Sequence, residues 1–238
     1  MTYSESKKDK KKMTLKTKLI LLLMLPAIPL GYLAADSMVT KIGVAKEMEA
    51  VQKLSRLNVR ISSLVHETQK ERGATGLFLG SGGKEFEQEL KKQRIETDNR
   101  ISKLDILLSN MKIKSYDSEL EAFINGALGD LKRIKEVRNK VISLSIQTKD
   151  ALAYYTGMNK KFLDTIAFSA TVSSDTSIMR LTTCYVNFLK GKERAGIERA
   201  VLSSTFAGGK FGPGMFQYYV SLKAAQENYL DVFLSLAN

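Results

Sequence analysis

Proline is almost absent from this chain. Pro26, Pro29 and Pro213 are the only three, so everything from Leu30 to Gly212 runs without the residue that most reliably interrupts a helix. Paired glycines are few as well. A β-sandwich of this length needs a turn every ten residues or so, and its turns draw on proline and glycine. The chain therefore reads as all-α, built from long helices. Its 238 residues suit one medium domain, or one domain with an anchor. Apolar residues at 44% and charged residues at 26% are an ordinary globular balance, not a disordered one. Cys184 and His66 are each the only residue of their kind. That excludes an intramolecular disulfide framework and argues against a His–Cys zinc site and against catalysis that needs spare histidines. Paired carboxylates lie on solvated faces, and no nucleophile stands beside a base. No enzyme, no metal site and no cofactor is expected.

The charge is uneven. Lys and Arg number 37 against 25 acids, a formal +12, and residues 1–18 alone carry +5. Much of the basic excess thus sits in a short tail, which weakens a nucleic-acid reading and leads us to expect no nucleic-acid partner. Residues 19–35, LILLLMLPAIPLGYLAA, then run seventeen positions without a charge before Asp36. The run is at the short end of what crosses a bilayer as a helix, and the lysines before it place the amino end inside by the positive-inside rule. No clean small-x-small cleavage site follows. The sequence predicts a basic cytoplasmic tail over 1–18, a retained transmembrane anchor over 19–36 and an extracytoplasmic domain over 37–238.

Beyond the anchor the apolar pattern is helical. Leu54, Leu57, Ile61, Leu64 and Thr68 step by three and four. The pattern predicts helices over about 38–79, 86–112, 117–157, 162–206 and 215–237. Gly80–Gly83 is the first turn, lacking the strand context of a phosphate loop. Gly126 or Gly129 is a candidate interruption of the third helix, Gly157 a candidate end, and Ser173-Ser174-Asp175 a candidate start.

The chain also echoes itself. Residues 70–86 read KERGATGLFLGSGGKEF and residues 192–211 read KERAGIERAVLSSTFAGGKF. Each has Lys-Glu-Arg, an apolar helical end, a glycine pair, Lys and Phe. The echo predicts two pseudo-repeated helical-bundle halves made of long antiparallel helices, with the two Lys-Glu-Arg segments side by side. Arg72 lies seven residues from both Val65 and Leu79, nearly two full turns, and so shares their apolar face. Arg194 shares a face with Ile197 and Val201; Arg199 shares one with Ala195 and Leu202. Arg94 interrupts the apolar stripe of the second helix. An inward guanidinium needs an acceptor. It is met either by an internal glutamate, with Glu67, Glu71, Glu193 and Glu198 as candidates, or by a bound anion. Two arginines at repeat-related positions favour the anion, and the planar fork of arginine suits a planar oxyanion. His66 reads as structural or solvent-facing, Cys184 as a small core residue, and Tyr154 and Tyr155 as packing residues.

HETQKERGATGLFLGSGGKEF with QRIETD, then YVNFLKGKERAGIERAVLSSTFAGGKFGPGMF and AAQENYLDVF, resemble the nitrate- and nitrite-sensing (NIT) domain over about residues 40–238. The resemblance implies an all-helical fold with nitrate or nitrite held between arginines, Arg72 and Arg194 first, Arg94 and Arg199 after them. Such domains precede chemoreceptor helices, histidine kinases, cyclic-dinucleotide enzymes or RNA-binding antiterminators. Together with the anchor this predicts a sensor in the bacterial inner membrane facing the periplasm, probing nitrate or nitrite as a homodimer, either alone or as the input of a chemotaxis receptor or similar signalling protein. A bundle sensing another small anion or carboxylate, or a structural module with no ligand, would keep the same helices.

Overall fold

The computed structural model describes residues 13–173 and 175–237. Most of the expected basic tail, residues 1–12, and Ser174 lie outside the described residues. Seven α-helices are present: α1 (Leu15–Gly80), α2 (Glu87–Ser109), α3 (Ser118–Leu131), α4 (Ile134–Ile142), α5 (Thr148–Ser169), α6 (Thr176–Gly208) and α7 (Met215–Ala237). Short 3₁₀ turns at Ile113–Ser115 and Ala170–Val172 link α2 to α3 and α5 to α6. No strand occurs among the described residues.

The chain divides into two compact units, Met1–Glu49 and Ala50–Asn238. Among the described residues the first holds the amino-terminal part of α1, and its side chains over 13–49 are exposed. It meets the length and composition of a membrane-crossing helix, a test that a signal sequence or the core helix of a soluble protein also meets.

The second unit holds the core. The stripe Leu54, Leu57, Ile61 and Leu64 of α1 packs with Leu104 of α2, Leu120 and Ile124 of α3, Met158 and Phe162 of α5, and Val186 and Leu189 of α6. A smaller cluster joins Phe78, Leu90, Val137, Val141 and Ala151. Burying a side chain such as Leu or Phe contributes about 1.5–3 kcal/mol each, so this stripe decides which face of α1 turns inward. Residue pairs give the directions. Asn58–Ser169, Thr68–Asn159 and Arg72–Thr156 set α1 and α5 antiparallel. Cys184–Phe233 and Glu198–Gln226 do the same for α6 and α7. Tyr185–Ser62 and Glu193–Gln69 rise together, so α1 and α6 run parallel. An even number of reversals separates α1 from α6, so these two share a direction.

The third expected helix is in fact three. It ends at Leu131, restarts at Ile134, stops at Ile142 and resumes at Thr148. Gly126, Gly129 and Gly157 all sit inside helices. The second stop is a Schellman cap: Ser145 N–H donates to the Lys140 carbonyl at 2.9 Å and Leu144 N–H to that of Val141 at 3.1 Å, with Leu144 at φ 53°. The end of α1 is built the same way, Gly83 to Phe78 at 2.9 Å and Gly82 to Leu79 at 3.0 Å, with Gly82 at φ 66°. The two caps touch: a side chain at Gly83 would lie 3.2 Å from Leu144 Cδ2. Asp175 opens α6 by accepting from the amides of Ser177 and Ile178, so the expected helix start falls at the last residue of its triplet.

Candidate functional site

Because α1 and α6 are parallel, their Lys-Glu-Arg segments lie level with each other. Each contributes a glutamate and an arginine, and the four residues divide into two buried polar clusters.

The first cluster surrounds Glu71, which is fully buried. Arg138 of α4 binds it with two parallel hydrogen bonds, Nε to Oε1 at 2.7 Å and Nη2 to Oε2 at 2.8 Å, and reaches Asp98 of α2 with Nη1 at 2.6 Å. Tyr155 donates its hydroxyl to Oε1 at 2.8 Å. Burial alone would push the Arg138 pKa down, but the bonds and charge of Glu71 outweigh it and the net shift is upward. Burial and the same carboxylate push the Tyr155 phenol up, so it stays a donor at any working pH. Arg94 enters this cluster, not the second. Its Nε stands 3.7 Å from Glu71 Oε1, its Nη2 reaches the Arg138 carbonyl at 3.4 Å, and its buried Nε has no hydrogen-bond partner. Burial lowers its pKa, with the Glu71 carboxylate opposing.

The second cluster joins α1, α5 and α6. Arg72 is buried at 3% exposure and ion-paired through Nη1 with Glu193 Oε1. The same Nη1 donates to Thr156 Oγ1 at 2.9 Å. Gln69 donates to the other carboxylate oxygen of Glu193 at 2.6 Å. Arg72 Nη2 lies against the bare backbone of Gly196, 3.0 Å from where a Cβ would stand. Arg194 is half-buried, and its Nε is buried with no hydrogen-bond partner. On the rim Lys192 Nζ meets His66 Nδ1 at 3.0 Å. Burial lowers the pKa of both; for His66 the Lys192 charge adds to the shift, and for Lys192 the carboxylates of Glu193 and Glu67 oppose it. Glu67, below its ordinary value despite burial, is held by Lys70 and Gln93 at 2.8 Å each.

The structure thus brings Arg72 onto the α6 turn that carries Arg194. Arg199 is exposed on another face of α6, beside a shallow cleft of about 300 Å³ lined by Ala195, Leu202 and Phe206. Both the Arg72–Glu193 pair and the burial of Glu71 follow the internal-glutamate option that the sequence left open. Arg138 was missed. It lies seven residues after Leu131 and four after Ile134, both buried, so its place on an apolar stripe was readable by the same spacing that singled out Arg72. Among the described residues no group of three or more metal-ligating side chains occurs.

Residues 63–238 match a family described as nitrate and nitrite sensing. The chain belongs to the NIT family. It is 28% identical over 178 residues to the nitrate regulatory protein of Klebsiella oxytoca, covering 75% of this chain and 45% of that one. It also superimposes on the solved structure of the NasR transcription antiterminator with a TM-score of 0.78 and 26% identity, over 82% of this chain and 53% of that one. The chain spans about half the length of these relatives.

These relatives correct the expected setting. Both are regulators, and one acts in transcription. The reading as an extracytoplasmic chemotaxis receptor, anchored in the inner membrane, periplasmic and without a nucleic-acid partner, does not stand against them. Its physical weakness is plain in the fold: seventeen uncharged residues satisfy a criterion of length and composition that helices outside membranes satisfy too. The uneven placement of the basic excess gave no ground for excluding nucleic acid, since net charge and its location alone do not name a partner.

Proposed function

We propose that this NIT domain binds nitrate or nitrite between Arg72 and Arg194 and is the sensing part of a regulator of the kind its relatives represent, with control of transcription as its setting. The observation that carries the reading is the pairing of a buried Arg72 with the α6 turn 193–196, where Arg194 keeps a buried, unpartnered Nε. Arg72, Arg194 and Lys192 bring three cations to one turn, against Glu193. Positive charge concentrated in a half-dry site favours binding of an anion. Nitrate is planar and a very weak base, so fixed donors must capture it, and the guanidinium fork matches two of its oxygens. Arg94 and Arg199 serve elsewhere: Arg94 as a partner of Glu71, Arg199 at the surface. The two Lys-Glu-Arg segments act as repeat-related arms, each followed by a glycine turn into a returning helix. A signal then passes as a shift of α1 against α6.

Calorimetric titration of nitrate into the wild type, Arg72→Ala, Arg72→Lys and Arg194→Ala tests this. Loss of one charged partner in such a site costs on the order of 2–5 kcal/mol, ~30-fold or more in affinity. Lysine should not rescue Arg72, because it keeps the charge and loses the fork. Folded variants binding nitrate like the wild type would make the arginines structural and the Arg72–Glu193 pair a simple buried salt bridge.

A further inference from the structure

Glu193 holds Arg72 in an unusual way. Its carboxylate touches the guanidinium through one oxygen only, Oε1 on Nη1, while its second oxygen is drawn off by Gln69 at 2.6 Å. A bidentate pair, as Arg138 makes with Glu71 in the neighbouring cluster, would use both oxygens on one fork. The Arg72 fork is therefore half used. Its other terminal nitrogen, Nη2, lies against Gly196, where any larger residue would have to push it aside. Nη1 already serves Thr156 and Glu193 together.

We propose that Glu193 is a built-in competitor for the anion: nitrate binds Arg72 by displacing the Glu193 carboxylate, not by joining it. This inference rests on the proposed nitrate site and adds how that site is regulated. A carboxylate and a nitrate present the same two-oxygen edge, and both are monoanions. Two such anions on one buried guanidinium repel strongly in a medium of low dielectric. Exchange avoids that repulsion; addition does not. Exchange also has a mechanical result. Glu193 is the residue through which α6 holds both Gln69 and Arg72 of α1, so releasing it cuts two of the polar ties between these parallel helices in one step, leaving Tyr185–Ser62 and Lys192–His66. The competitor sets affinity, and its release is the signal.

The test is calorimetric titration of sodium nitrate into the full chain of wild type, Glu193→Gln, Gln69→Leu and Arg72→Ala. Glu193→Gln removes the competing charge and should bind nitrate roughly tenfold more tightly or better. Gln69→Leu frees the second oxygen of Glu193 to close on the Arg72 fork without touching the charges, which strengthens the competitor, and should bind nitrate several-fold more weakly. A Glu193→Gln protein that binds as the wild type does, or more weakly, overturns the inference and makes Glu193 a positioning residue for Arg72. If that variant fails to fold, Gln69→Leu at wild-type affinity overturns it equally. Nitrate binding that survives Arg72→Ala overturns the site reading and this inference with it, whereas its loss there with tighter Glu193→Gln supports both.

Discussion

A single carboxylate, Glu71, decides much of the interior. It is fully buried and receives three hydrogen bonds, two from Arg138 and one from Tyr155. Removing one partner of a buried pair strands the other, which costs about 3–5 kcal/mol. Arg138→Met should therefore lower stability by roughly that amount, toward the smaller figure because Arg94 stands 3.7 Å away and can take up part of the charge. Adding Glu71→Leu should recover most of the loss; denaturant unfolding of the single and double variants checks both. His66 gives a pH signature of opposite origin. Its pKa is lowered in the folded protein by burial and by Lys192, so the unfolded chain binds the proton more readily. Above the ordinary value of ~6.5 both states are neutral and nothing is lost; as pH falls below it, stability falls. Wild type should lose stability between pH 7 and 5.5 relative to His66→Gln, whose curve lacks this component; equal slopes in chemical denaturation would refute it. At this scale the sequence was informative but not complete. Helical spacing put Arg72 on an apolar face, with Glu67, Glu71, Glu193 and Glu198 as candidate acceptors. It could not choose among them, because which glutamate meets which arginine depends on the parallel direction of α1 and α6.

At the scale of elements, periodicity located the long helices well. α2, α6 and α7 fall within a few residues of the expected 86–112, the last part of 162–206 and 215–237. It failed where α3, α4 and α5 were read as one helix over 117–157. The breaks occur at Lys132-Arg133 and Ser143–Gln147, which contain neither glycine nor proline. Leu144 adopts the left-handed conformation there, which for a leucine costs about 1–2 kcal/mol. Its contact with Gly83 offsets that cost, and a contact across some sixty residues leaves no local trace in composition. The converse holds at Gly196. It lies mid-helix on α6, where alanine would be favoured by roughly 1 kcal/mol, yet a Cβ would come within 3.0 Å of Arg72 Nη2. The guanidinium is the flexible end of a side chain and can shift. Gly196→Ala should thus leave the melting temperature equal or higher while weakening nitrate binding roughly tenfold, since a fork moved off its place loses one of two aligned bonds. Thermal unfolding and titration on the same sample separate the two effects.

For the molecule as a whole, fold class and family were legible and the setting was not. Scarcity of proline and the two Lys-Glu-Arg segments point to an all-helical sensing domain. The chain spans about half the length of its relatives, a nitrate regulatory protein and a transcription antiterminator, and these overturn the reading as a membrane-anchored periplasmic receptor. What remains to be carried from domain to output is a free energy. If the anion sits between α1 and α6, its binding energy is stored in the contact of two helices that also bound the main core, Leu54 to Leu64 on one and Val186 and Leu189 on the other. Any ligand that binds the folded state alone must raise its stability, by ~2.7 kcal/mol at one hundred times its dissociation constant. For a chain of this size each kcal/mol moves the midpoint by about 2–4 °C. Saturating nitrate should accordingly raise the melting temperature by roughly 5–10 °C in the wild type. Arg194→Ala should show at most about a third of that rise at the same concentration, because the unpartnered donor on α6 is gone while Arg72 keeps its tie to Glu193. A rise of equal size in both proteins would place the anion away from α6, and with it any account in which nitrate moves α1 against α6.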